Sequence, residues 1–214
     1  GAERFTSDDV VHPSSFYSSV ANRVSYFFNW SGPSMAIDTL CSSSLTAIHM
    51  ACQSIRNGEC TMAIAGGSNI TSHPYKYLLM GQKKFLSSDG RCRAFGVGGD
   101  GYVPSECVAA ILLKPLAKAI ENNDHIYAVI RSSFHNHGGR TNGYTVPNPN
   151  AQGDLIYQSL KQANIHPRTI SYIEAHGTGT ILGDPIEITG LKKAFEAFSI
   201  DKQFCAIGSV KSNI

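Results

Sequence analysis

The fold turns on the run Ser34-Met35-Ala36-Ile37-Asp38-Thr39-Leu40-Cys41-Ser42-Ser43-Ser44-Leu45-Thr46-Ala47-Ile48-His49-Met50-Ala51-Cys52-Gln53-Ser54-Ile55. Residues 34–40 read as a buried strand and residues 45–55 as a helix. The helix carries Leu45, Ile48, Cys52 and Ile55 on one face, while Ala47, Met50 and Ala51 make the rest apolar. Such a helix is expected between layers rather than on a surface. Asn57-Gly58 supplies its stop signal. Cys41 falls where strand meets helix, followed by three serines that leave room for a substrate. A sharp turn there presents the thiol as a nucleophile elbow. The helix N-terminus adds partial positive charge and free N–H groups that favour thiolate and can hold an oxyanion. The same pattern also fits a buried cysteine beside a serine N-cap.

Outward from that run, strands alternate with helices. Strands are expected at 61–65, 108–113, 126–131, 171–175 and 205–210, and helices at 115–121, 152–163 and 185–198. This order implies a layered α/β architecture with largely parallel strands. A turn-rich stretch covers 72–104. A polar loop at 136–149 is long enough to suggest a functional role. The boundary between two units is placed at 115–125, giving a first part over 1–120 and a second over 121–214.

The second informative run is Glu174-Ala175-His176-Gly177-Thr178-Gly179-Thr180, which follows a short strand. Glycines around a threonine let the backbone turn sharply and approach a ligand. Asp184-Pro185-Ile186-Glu187 then reads as a capping box, with Asp184 at N-cap and Glu187 at N3. His176 is thereby expected on a tight loop at a strand end, where layered α/β sheets bind ligands. The other seven histidines, His49 among them, are read as structural or surface residues. His135 and His137 alternate as metal ligands do, but lack an evident third, so no metal site is expected. Cys92 stands between Arg91 and Arg93; like the remaining cysteines it is assigned to packing. The glycines of residues 96–101 lead into a strand rather than a helix, which weakens a phosphate-loop reading.

Composition narrows the function classes. Hydrophobic residues make up 42% of the 214 and charged residues only 16%, enough apolar material for a sizeable core. The net charge of +2 comes with no basic run, which argues against nucleic acid. No run approaches the roughly 20 apolar residues of a membrane span. The six cysteines form no C-x-x-C pair, consistent with a reducing cytoplasm. Gly1 is no initiator and residues 204–214 read as a core strand entering a turn, so the sequence is read as an internal fragment.

The residues Asp38-Thr39-Leu40-Cys41-Ser42-Ser43-Ser44 resemble the active-site cysteine motif of β-ketoacyl synthases, the thiolase-fold condensing enzymes. Residues 21–26 and Gly32-Pro33-Ser34 are similar to that family's approach to the cysteine, although Leu40 stands where alanine is usual. The 174–180 run resembles the family's histidine motif, and Val210-Lys211-Ser212-Asn213-Ile214 the start of its lysine motif. The resemblance extends from Ser14 to Ile214. It implies a thiolase-like layered αβαβα fold, here incomplete at both ends. It makes Cys41, His176 and Lys211 catalytic, with Thr178 and Thr180 binding the phosphopantetheine arm. A second catalytic histidine and the rest of the oxyanion hole are expected beyond Ile214. The runs 86–95, 98–104, 137–139 and 141–149 look like modular polyketide synthases that draw malonyl units from a separate acyltransferase. Ser105 and Cys107 replace the family's glycines beside Glu106.

The implied reaction is decarboxylative condensation of a cysteine-bound acyl group with malonyl carrier protein. No cofactor is bound by the domain itself; phosphopantetheine arrives on the acyl carrier protein. A homodimer is implied, and the fragment alone is expected to be inactive. Three rivals remain: a non-condensing acyl-transfer ketosynthase, a cysteine hydrolase using Cys41 and His176, and a fatty-acid ketosynthase.

Overall fold

The structure, a computed structural model, describes residues 16–213. Ser14, Ser15 and Ile214, on which parts of the sequence reading fall, lie outside the described residues. The described residues divide into two compact units, residues 16–67 with 110–125, and residues 68–109 with 126–213.

In the first unit, helix α1 (Ser18–Phe27) leads through a turn into irregular chain. A single 3₁₀ turn (Leu40–Ser42) opens directly into α2 (Ser43–Arg56). The expected strand at 34–40 is therefore corrected: residues 33–39 form no helix or strand and join no ladder among the described residues, and Thr39 has already left the extended region at φ −125°, ψ 33°. A strand needs a partner as well as a suitable side-chain pattern. Helix α2 matches its expected span, but not its burial. Only His49 is buried, and Leu45 remains 70% exposed.

Strand β1 (Ala63–Asn69) pairs with β2 (Cys107–Leu113) in a two-stranded sheet. β1 begins later than expected and runs through Gly66-Gly67 instead of closing there. A Cβ at Gly67 would stand 3.0 Å from the Ser44 Cβ, so the glycine lets α2 approach the strand. β2 is an unbroken apolar run, a composition suited to burial on both faces. Here Val108 and Leu112 are largely exposed. The short helix α4 (Leu116–Glu121), expected from sequence, follows and buries Ala119.

The second unit contains α3 (Tyr75–Gln82), inside the stretch read as turns. Residues 126–131 form no strand, another correction of the same kind as residues 34–40. Helix α5 (Pro149–Ala163) starts where Asn148 Oδ1 accepts from the amides of Asn150 at 3.0 Å and Ala151 at 3.4 Å, with proline at the first position. It ends on left-handed Asn164. Strand β3 (Tyr172–Glu174), helix α6 (Gly183–Glu196) and strand β4 (Ala206–Gly208) then form a parallel β–α–β unit, with Glu174 opposite Gly208. α5 packs on α6 at two glycines. A Cβ on Gly190 would stand 2.9 Å from Gln152 Cβ, and one on Gly153 3.2 Å from the Gly190 carbonyl. This close seat fixes where α6 begins, and so where its acidic first turn points. Among the described residues, no helix is long and apolar enough to cross a membrane.

Candidate active site

Polar side chains clamp the turn at Cys41. Asp38 Oδ1 accepts from the Leu40 amide at 3.0 Å. Ser43 Oγ accepts from the Thr39 amide at 2.9 Å and donates to the Leu40 carbonyl at 2.6 Å, while Ser42 Oγ donates to the Thr39 carbonyl at 3.0 Å. These bonds hold Leu40 in the left-handed region at φ +57°, which costs a branched side chain about 1–2 kcal/mol. The turn leaves Cys41 as an exposed free thiol just before α2. The sequence reading expected the sharp bend at the cysteine. The strained residue is the leucine before it, and leucine carries no signal for positive φ.

In the second unit, β3 and β4 deliver His176 and Lys211 side by side. Lys211 Nζ lies 2.9 Å from His176 Nδ1. An ammonium only donates, so Nδ1 accepts and the ring proton sits on Nε2. Crowding of the ring by its surroundings, then the Lys211 charge, hold the imidazole pKa below its ordinary 6.5 against the opposing carboxylates of Glu187 and Asp184. His176 is thus a neutral hydrogen-bond donor through Nε2 at neutral pH.

The bend itself hangs on two carboxylates from the first turns of α6. Glu187 accepts from the amides of His176 at 2.7 Å and Gly177 at 2.9 Å. Buried Asp184 accepts from Gly179 at 3.0 Å and from Phe95 at 2.6 Å. The expected capping box is therefore overturned. Leu182 is the N-cap, Asp184 sits inside the helix, and both acids reach out to the loop instead of capping their own helix. Three amides of the tight bend and that of Phe95 beside it need acceptors, and these two carboxylates supply them.

The 87–102 loop closes on the same bend. Gly101 donates to the Gly179 carbonyl at 3.2 Å, and Cys92 Sγ lies 3.6 Å from the Thr178 carbonyl. Arg93 is paired with Asp89 at 2.5 Å, and this guanidinium holds the Asp89 carboxyl far below the usual range. Arg91, Cys92, Arg93, Val103 and Lys211 line an open cleft of about 520 Å³. Thr178 and Thr180 place their hydroxyls 2.9 Å apart, and Thr180 Oγ1 also accepts from the Gly183 amide at 3.1 Å.

Residues 4–119 match the family "Beta-ketoacyl synthase, N-terminal domain", and residues 127–214 match "Beta-ketoacyl synthase, C-terminal domain". The chain belongs to the β-ketoacyl synthase family. This ketosynthase chain is 66% identical over 197 residues to polyketide synthase PksL of Bacillus subtilis, covering 92% of the chain and 4% of that protein. It is 58% identical over its full 214 residues to polyketide synthase PksM of the same organism, or 5% of that protein. Among solved structures it resembles the oxazolomycin ketosynthase domain OzmH KS7 of Streptomyces albus, with a TM-score of 0.91 and 57% identity over 93% of this chain and 34% of that one. The ketosynthase from module 6 of the Bacillus subtilis bacillaene synthase gives a TM-score of 0.91 at 46% identity, over 93% and 36% of the two chains. The fold is thus the thiolase-like α/β fold of ketosynthase domains, and the chain spans about a third of the solved domains it matches.

Within this ketosynthase chain, the sequence reading named His176, Lys211, Thr178 and Thr180, and the second unit brings all four around one bend. It missed Glu174, Asp184 and Glu187 as loop-holding acids. The signal available was three acidic residues within fourteen positions of a glycine-rich turn that needs acceptors. Gly179 shows how tightly the bend is seated. Its φ is +71°, and a Cβ there would stand 2.9 Å from the Arg93 amide nitrogen. Gly179→Ala is expected to destabilise the full-length domain by about 2–4 kcal/mol, from left-handed strain and backbone overlap together. A urea titration checks this; an unchanged midpoint would contradict the seating.

Proposed function

We propose that this chain carries the nucleophile and one catalytic histidine of a polyketide ketosynthase performing decarboxylative Claisen condensation. The observation that carries the reading is the ammonium of Lys211 on His176 Nδ1 at 2.9 Å. A histidine acting as general base in hydrolysis needs a bare nitrogen facing the substrate, with its other N–H held by an acceptor. His176 has the opposite arrangement, a donor suited to an enolate or oxyanion.

The cycle runs in two halves. The Cys41 thiolate attacks an acyl thioester on a carrier protein, forms a new thioester and expels the pantetheine thiol. Malonyl carrier protein follows, its phosphopantetheine arm held by Thr178 and Thr180. Cleavage of the carboxylate releases carbon dioxide and leaves the electron pair as an enolate. Its oxygen takes the hydrogen bond of His176 Nε2–H, beside a second histidine supplied by the remainder of the domain. Lys211 holds the ring in this tautomer. The enolate carbon then attacks acyl-Cys41, the thiolate departs, and a β-ketoacyl carrier is released. Malonyl units come from a separate acyltransferase, the full-length domain works as a homodimer in the cytoplasm, and no cofactor or metal resides in it. The exposed apolar strand β2 supports reserving these activities for the full-length domain.

The test offers purified acyl-enzyme its second substrate. With malonyl carrier, the expected product is a β-ketoacyl carrier two carbons longer; without it, the acyl group stays on the enzyme. Free acid in the second case would favour a hydrolase. Transfer of an unextended acyl group to a carrier would favour a non-condensing domain.

A further inference from the structure

His176 depends on Lys211, and Lys211 rides on a 3₁₀ turn (Val210–Asn213) that follows β4. Because β3 and β4 are parallel with Glu174 opposite Gly208, His176 and Val210 each lie two residues beyond one register pair. Three bonds tie the strand ends together. Ala175 donates to the Gly208 carbonyl at 2.8 Å, Ser209 Oγ to the His176 carbonyl at 3.2 Å, and the Val210 amide to Glu174 Oε1 at 2.8 Å. Only the last of these holds the residue next to Lys211. The other carboxylate oxygen of Glu174 accepts from Tyr172 Oη at 2.7 Å. Tyr172 reaches it by lying over Gly208, where a Cβ would stand 2.8 Å from the phenol oxygen.

We propose that Glu174, oriented by Tyr172, is a positioning residue that holds the Val210–Asn213 turn so that Lys211 keeps its place on His176 Nδ1. Both partners of the carboxylate are donors, one a backbone amide and one a phenol, which an acceptor-only group satisfies. Consistent with an ionised role, the Tyr172 hydroxyl, the Val210 amide and the Lys211 charge keep the Glu174 carboxyl below its ordinary range. Glutamine retains an acceptor for Val210, and the phenol can reverse to accept from its amide. Alanine removes both bonds; the turn stays tied through Ser209 to the His176 carbonyl and to Ser212, but the residue next to Lys211 loses its anchor and the lysine shifts. The groups facing His176 are Lys211 from the turn and Glu187 and Asp184 from α6. Loss of the lysine leaves the two carboxylates, so the imidazole pKa rises.

This inference rests on the reading of His176 as an enolate donor. The test follows malonyl-carrier decarboxylation against pH, and separately acylation of Cys41, in the full-length domain. For Glu174→Ala, decarboxylation is expected to fall by about 100-fold, the scale of a displaced catalytic group. Its acid limb moves to higher pH, while Cys41 acylation is unchanged. Glu174→Gln restores most of the rate and the original limb. Should the alanine variant fail to fold, Tyr172→Phe, which deletes one hydroxyl, shifts the limb the same way by less. An acid limb that stays in place in Glu174→Ala or Tyr172→Phe, or decarboxylation and acylation falling together, would overturn the assignment. If His176→Ala decarboxylates malonyl carrier as the wild type does, the donor reading itself fails and this inference falls with it.

Discussion

Cys41→Ala in the full-length domain is expected to take up no acyl group from an acyl thioester, and turnover falls by about 10⁶-fold, the scale seen when a covalent nucleophile is deleted. The substitution removes one sulfur from an exposed position. The clamp around it, made by Asp38, Ser42 and Ser43, does not involve the cysteine side chain. Fold and stability should therefore survive, which circular dichroism and a thermal melt can establish. Intact-mass measurement after incubation with acyl thioester reads the result directly. Another cysteine that labels stoichiometrically in the variant, Cys92 included, would displace Cys41 from its role.

His176→Ala is expected to separate the two half-reactions. Cys41 still acylates, because the helix start behind the thiol supplies the partial positive charge and N–H groups that favour thiolate. Malonyl-carrier decarboxylation falls by roughly 10²–10³-fold, the scale for losing one preorganised donor to a developing oxyanion. Wild-type activity should also resist acid further than a free histidine allows. With the imidazole pKa held below 6.5, the neutral ring persists as pH drops to that value and protonates only beneath it. The same shift makes the bend less stable in acid. A group whose folded pKa is depressed contributes stability above its unfolded value, and loses it as pH falls through the folded one. Equal losses of acylation and decarboxylation in His176→Ala would show that the histidine supports the fold rather than the enolate.

Helices α2, α5 and α6 were legible from their apolar periodicity, and for α2 from the stop at Asn57-Gly58; the start of α5 at Asn148-Pro149 was read as loop. Strands β2, β3 and β4 were legible as short apolar runs. Residues 34–40 and 126–131 carry the same composition yet join no ladder, because pairing depends on neighbours that no local pattern encodes. Cys41 and His176 stood out for a different reason. Local pattern alone also fitted a packed cysteine and a structural histidine, and the catalytic reading came from the resemblance of residues 38–44 and 174–180 to β-ketoacyl synthase motifs. The acids were misread because Asp184-Pro185-Ile186-Glu187 satisfies the capping pattern while its carboxylates serve another segment. Sequence spacing does not distinguish an acceptor that folds back on its own helix from one that reaches a loop. Leu40 was legible as unusual, but its left-handed backbone was not.

The most direct test of the account is to load Cys41 with a radiolabelled acyl group, isolate the acyl-enzyme, add malonyl carrier protein and quench over time. In the wild type the label should leave the enzyme and appear on the carrier as a β-ketoacyl chain. In His176→Ala it should remain on Cys41. Label that leaves the His176 variant at the wild-type rate, or that leaves the wild type as free acid, would contradict a condensation shared by these two residues.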